Sequence, residues 1–212
     1  MRGGSRAAIL ALTVLLAAAC SLAPSRTVED LHTYLLDPEL PSADGAPPGR
    51  GGSGTLLIGV PRAQAGFDTP RMVYLLRPHE IQYFASSEWA DTPARMLTPL
   101  LEQALERTGA WRTVVLATSS LRGDLRLDAE HLALQQEFFS KPSRVRVTLR
   151  VHLVEPRGQA VVASKQFEAV EDALSDDPYG GVLAANRAVA KLLNEVADWV
   201  GAQRVAVQPR DR

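Results

Sequence analysis

Apolar and polar positions alternate most regularly between residues 145 and 153. Val145, Val147, Leu149, Val151 and Leu153 fall on one side, and Arg146, Thr148, Arg150 and His152 on the other. A period of two predicts a half-buried antiparallel strand with a basic outer face. Glu155, Pro156, Arg157 and Gly158 supply a turn, and residues 160–167 return as the partner strand. Residues 55–60 (TLLIGV) are a continuous apolar run stopped by Pro61, and 111–117 (WRTVVLA) are a second such run; both patterns predict buried strands. A first strand is expected at 32–36, ended by Asp37 and Pro38, and a hairpin at 72–76 and 81–85, across Arg77, Pro78, His79 and Glu80. From 124 to 134 the alternation changes phase near Glu130 and His131, which predicts a bulge.

Two stretches follow the helical period instead. Thr92 is a suitable N-cap, Pro93 fits the first helical position and Gly109 can end the helix, while Leu97, Leu100, Leu101, Ala104 and Leu105 give it one apolar face. A last helix is expected to start near Gly181, with Val182, Ala185, Val189, Leu192, Val196 and Val200 as its apolar stripe and Asn186, Lys191 and Glu195 outside. Residues 41–54 (PSADGAPPGRGGSG) are almost all turn and linker residues and predict a surface loop. The expected fold class is α+β: a single domain with a mostly antiparallel sheet covered on one face by two helices.

The N-terminus has a different character. Arg2 and Arg6 precede an apolar stretch, 7–19, broken only by Thr13 and ending in Ala17, Ala18 and Ala19 before Cys20. This is a secretory signal, too short for a membrane-spanning helix, which needs roughly 20 residues. A run of small residues ending in cysteine resembles the bacterial lipoprotein signal, in which the cysteine thiol is lipidated and becomes the new N-terminus. Ala17 stands where leucine is usual, with Leu16 one place earlier. The expected organisation is a lipoprotein signal peptide at 1–19, a lipidated linker at 20–30, a folded domain at 31–203 and a tail at 204–212. Ser21, rather than aspartate, follows Cys20; by analogy with enteric bacteria this implies export to the outer membrane. Several acyl chains on one residue satisfy the two-signal requirement for stable anchoring.

Composition narrows the function classes. Loss of Arg2 and Arg6 takes the net charge from −1 to −3, the wrong sign for a nucleic-acid partner. Cys20 is the only cysteine, which excludes an intramolecular disulfide or a thiolate metal site. Catalytic motifs are missing: there is no P-loop and no dinucleotide fingerprint, and His32, His79, His131 and His152 lack metal-ligand spacing. Ser53 lies in the glycine-rich loop without the glycine two places on that a nucleophile elbow requires. No catalytic residue, cofactor or metal is expected. The acidic run Glu168, Glu171, Asp172, Asp176 and Asp177 is expected to be a solvated loop rather than a cation site.

Three candidate partner-binding residues remain. Arg146 and Arg150 share the basic strand face, where they can meet acidic protein or lipid headgroups or stay solvated. Trp89 precedes the first helix; buried it anchors the core, the favoured reading, and exposed it anchors an interface.

An ordered series of motifs carries a family resemblance. Tyr34, Leu35 and Leu36 come first, then Ile58, Gly59, Val60 and Pro61, then Phe67, Asp68, Thr69, Pro70, Arg71, Met72, Val73 and Tyr74. Tyr83, Phe84, Trp89, Ala90, Gly109, Leu125, Leu127, Phe138 and Phe139 continue it, and Ala184, Ala188 and Trp199 close it. The series resembles the ABC-type transport auxiliary lipoproteins, the paraquat-inducible protein C-like partners of MCE lipid-transport systems. Phe67 stands where the family more often has leucine, and the insertion at 41–54 is looser than usual. Physically, Asp68, Thr69 and Pro70 shape a turn, and Arg71 is within reach of Asp68 or Glu80. The resemblance implies a non-enzymatic, homo-oligomeric subunit anchored in the outer membrane and facing the periplasm. It would dock an MCE-domain protein and, through it, an inner-membrane ABC permease and ATPase. Two other classes stand beside it: an outer-membrane assembly lipoprotein that plugs or chaperones a β-barrel, and an anchored periplasmic hydrolase.

Overall fold

The structure is a computed structural model that describes residues 30–40, 52–119, 121–158 and 160–207, with side chains to 203. The signal peptide, Cys20 and most of the expected loop at 41–54 lie outside the described residues. The elements in chain order are β1 (His32–Tyr34), β2 (Thr55–Ile58), β3 (Arg71–Leu75), β4 (Gln82–Trp89), α1 (Pro93–Arg107), β5 (Thr113–Leu116), β6 (Leu125–Glu137), β7 (Arg144–Glu155), β8 (Ala160–Asp172) and α2 (Pro178–Val207).

Strand β6 is the spine of one forked sheet. On one edge it pairs antiparallel with β7, and β7 pairs antiparallel with β8. Its other edge serves two branches in turn. β2 runs parallel to residues 125–127 with β5 beyond it, and β3 runs parallel to residues 135–137, followed by antiparallel β4 and parallel β1. Between the branches the chain leaving β2 stays on β6: the N–H groups of Gly59, Arg62 and Gln64 donate to the carbonyls of Leu127, Ala129 and Leu132 at 2.9–3.0 Å. The α+β class is as expected, but the sheet is mixed. The two long ladders are antiparallel, and the short branches join β6 in parallel because the chain crosses over between them.

The predicted bulge falls where the phase changes. Register with β7 shifts between Glu130 and Ala133, and His131 takes a left-handed φ of 55°. One extra residue moves the buried set from Leu125, Leu127 and Ala129 to Leu132 and Leu134 while keeping both groups under the helices. Ala133 turns to the other face and joins Phe67, Val73 and Leu75 in a small second core.

Both helices cover the same sheet face. Leu97, Leu101 and Leu105 of α1 and all six predicted stripe residues of α2 are buried in one cluster with Leu56, Ile58, Val147, Leu149 and Phe167. Thr92 occupies the α1 cap position, but its side chain makes no cap bond; the Asp91 carboxylate accepts the Thr92 N–H instead, at 2.7 Å. Helix α2 begins at Pro178, earlier than expected, because Asp177 caps it: Asp177 Oδ1 accepts the Gly180 N–H at 2.7 Å. That bond leads the causes that hold the Asp177 carboxyl below its usual range. Gly181 then packs directly on β6, where an added Cβ would lie 2.2 Å from Gln136 Oε1.

Candidate functional site

The uncovered face of β6, β7 and β8 carries the arginine-bearing positions. Arg146 does not stand alone there. Its Nε donates to Glu137 Oε1 at 2.8 Å, its Nη2 to Glu137 Oε2 at 3.3 Å, and its Nη1 to Glu168 of β8. Glu137 is nearly inaccessible, its side chain 5% exposed. Burial pushes its carboxyl up, but the bonds from Arg146 and Gln135 and the charges of Arg146 and Arg144 outweigh that and hold it below the ordinary range. The Glu137 bond in turn raises the Arg146 pKa. Gln64, Gln135, Thr148 and Gln166 complete a polar cleft around Arg146.

The same neutralisation repeats along the face. Glu130 bridges Arg62 Nη2 at 2.9 Å and His152 Nε2 at 3.0 Å, and its carboxyl is held low, with the His152 bond the leading cause. Arg126 binds Asp128 through both Nε and Nη2. Arg150 is different: it is exposed, opposite Glu130 of β6 and Gln166 of β8, without an ion pair among the described residues. Arg146 and Arg150 therefore share one face, as expected, but Arg146 is bound between two carboxylates and is not a free cation. Period-two alternation shows the arginines and cannot show which carboxylates lie across the ladder.

Trp89, 3% exposed, is a core residue. It lines a narrow internal cleft with Met72, Leu134, Val145 and Ala185, so it offers no surface to a partner. This corrects its place among the partner-binding candidates, because β1 covers β4 at Tyr34 and α2 closes over it. Arg71 pairs with neither Asp68 nor Glu80: its guanidinium sits 3.7 Å over the Tyr83 ring, and Glu80 is bound by Arg77. Thr69 Oγ1 does accept a local amide, that of Arg71, at 3.2 Å. The acidic run is structural in part, since Asp176 accepts the Ser143 N–H at 2.7 Å and Asp177 caps α2. Among the described residues no group of His, Asp or Glu is arranged to hold a metal, and no helix is long and apolar enough to cross a membrane.

A mixed, forked sheet with two helices on one face is a fold seen in other solved structures. Protein XCC0632 from Xanthomonas campestris superimposes with a TM-score of 0.71 at 22% identity, over 83% of this chain and 99% of that one. Hypothetical protein CT253 from Chlamydia trachomatis gives 0.50 at 9% identity, over 73% and 99%. At these identities the likeness shows the fold alone. No curated protein matches the chain. The model of the family described as "ABC-type transport auxiliary lipoprotein component" matches residues 34–197, and the chain belongs to that family. As a lipoprotein component it is a membrane-anchored protein of the cell envelope that works with an ABC transporter.

Proposed function

We infer that this chain is the periplasm-facing auxiliary subunit of an MCE-type lipid transporter, anchored in the outer membrane through acylated Cys20. It acts by contact rather than catalysis, holding an MCE-domain assembly close to one membrane while a permease and ATPase work in the other. The observation that carries the reading is the family match over 34–197, lying directly behind a lipoprotein signal that ends at Cys20. Arg150 and the Arg146 triad supply the surface through which polar groups of a partner are engaged, and a homo-oligomer would repeat that surface around a shared axis. Affinity purification of the full-length protein from envelopes in mild detergent tests the proposal. An MCE-domain protein should co-purify, and its recovery should fall in Arg150→Glu protein. Recovery of a β-barrel protein in its place, or of no MCE protein at all, overturns the reading.

A further inference from the structure

Among the described residues, one end of the sheet gathers five of the eleven exposed large apolar side chains. Three connections meet at that end. The β3–β4 tip carries Leu76 and Ile81, the β6–β7 turn carries Phe139, and the chain entering α2 carries Leu174 and Tyr179. They are held side by side. Phe138 N–H donates to Leu75 O at 2.9 Å, joining the first two, and the Phe138 ring packs against Tyr74 and Phe84. Ala173 N–H donates to Ser143 O at 2.8 Å, and Ser143 N–H to Asp176, joining the second and third. Leu174 is 76% exposed, Tyr179 57% and Leu76 55%. Side chains of this size on adjacent loop tips gather exposed apolar groups at one end, interspersed with Arg77, Glu80, Lys141, Asp176 and Asp177, and soluble surfaces rarely leave large apolar patches uncovered.

The direction of β1 bears on what could cover it. β1 runs parallel to β4, with His32 opposite Ser87 and Tyr34 opposite Trp89. Moving toward the N-terminus therefore means moving toward Gln82 and the β3–β4 tip, and Leu31, itself exposed, continues that way. β1 thus runs along β4 away from the side of the apolar end. Cys20 lies ten residues before Asp30, and ten residues reach at most about 36 Å.

We propose that this end, from Leu31 to Leu76, Ile81, Phe139, Leu174 and Tyr179, rests on the bilayer that holds the lipid anchor and forms a second membrane contact. The occupant is a phospholipid surface. The apolar tips enter the interfacial layer, Tyr179, its ring 6.2 Å from that of Tyr34, sits where aromatic rings with a polar tip are favoured, and Lys141 and the Arg77–Glu80 pair of the same loops lie level with the headgroups. The open sheet face then stands upright, with Arg150 turned to the periplasm. This inference rests on the anchoring reading above.

The test uses full-length lipoprotein carrying Leu174→Cys or Phe139→Cys, with Leu121→Cys and Val161→Cys as controls; the acylated sulfur of Cys20 leaves the introduced thiol as the one label site. Nitroxide-labelled proteins are reconstituted into phosphatidylethanolamine–phosphatidylglycerol vesicles, and collisions with oxygen and with a water-soluble nickel chelate are compared. The oxygen-to-nickel ratio should be several-fold higher at residues 174 and 139 than at 121 and 161. Equal ratios at all four sites overturn the inference, as does protection at 174 and 139 that arises only when a partner protein is added. Acylation of Cys20 is read separately by mass spectrometry. Absence of the acyl mass overturns the anchor and this inference together, whereas acylated protein with equal ratios overturns this inference alone.

Discussion

Arg146 and Glu137 face each other beside the end of the β6–β7 ladder, joined by two parallel bonds of 2.8 and 3.3 Å, with the carboxylate almost wholly out of water. A fork-to-fork pair of this kind is strong and directional. Among the described residues, it orients the one basic side chain of the open face that two carboxylates share.

Arg146→Leu leaves Glu137 buried beside Glu168 without its cation. Breaking a fully buried pair costs about 3–5 kcal/mol, and partial exposure of Arg146 reduces this to about 2 kcal/mol. Urea unfolding should show that loss, and adding Glu137→Gln should restore most of it.

The pH dependence follows from the same carboxylate. Its folded pKa lies below 4.5, the ordinary value of a glutamate. The unfolded chain therefore binds the proton first as pH falls. The stabilisation from Glu137 is fully present above 4.5 and is lost as pH drops through the depressed folded value. Wild-type unfolding midpoints should decline with a steeper slope below 4.5 than those of Glu137→Gln, measured by urea titration at successive pH values.

Gly181→Ala would ordinarily strengthen a helix by up to about 1 kcal/mol. Here the new Cβ would lie 2.2 Å from Gln136 Oε1, and Gln136 cannot withdraw, because its Nε2 donates to Ser143 Oγ at 2.9 Å and to Asp177 O at 3.2 Å. Overpacking of this kind costs about 1–3 kcal/mol, so the net sign is destabilising, readable as a lower thermal midpoint.

His131 holds the bulge at positive φ. His131→Gly should leave stability unchanged or slightly raised. His131→Val should lower it by about 1–2 kcal/mol, since a β-branched residue is strained in the left-handed region. Denaturant midpoints of the two variants separate the backbone effect from loss of the imidazole.

Cys20→Ala removes the proposed acylation site, and membrane binding through the apolar loop tips alone should be weak and reversible. Fractionated cells should show the variant shifted to the soluble envelope fraction. Unchanged sedimentation with membranes would remove Cys20 as the anchor.

Elements governed by local periodicity were legible in the chain. Alternation from 145 to 153 and the stripe from Val182 to Val200 reveal which faces are buried, because the repeat of a strand or helix determines which side chains share a side. The phase change at His131 is readable for the same reason: it is a pattern in adjacent residues. Asp177 followed by Pro178 was an equally local cap signal, hidden inside an acidic run. Long-range pairing was not legible. That β2 and β3 join β6 in parallel, that Trp89 lies beneath α2, that Glu137 and Glu168 neutralise Arg146, and that three loop tips meet at one end of the sheet all depend on contacts between distant parts of the chain. Periodicity assigns a residue to a face, but only the packed sheet, through its register and crossovers, decides what stands opposite it.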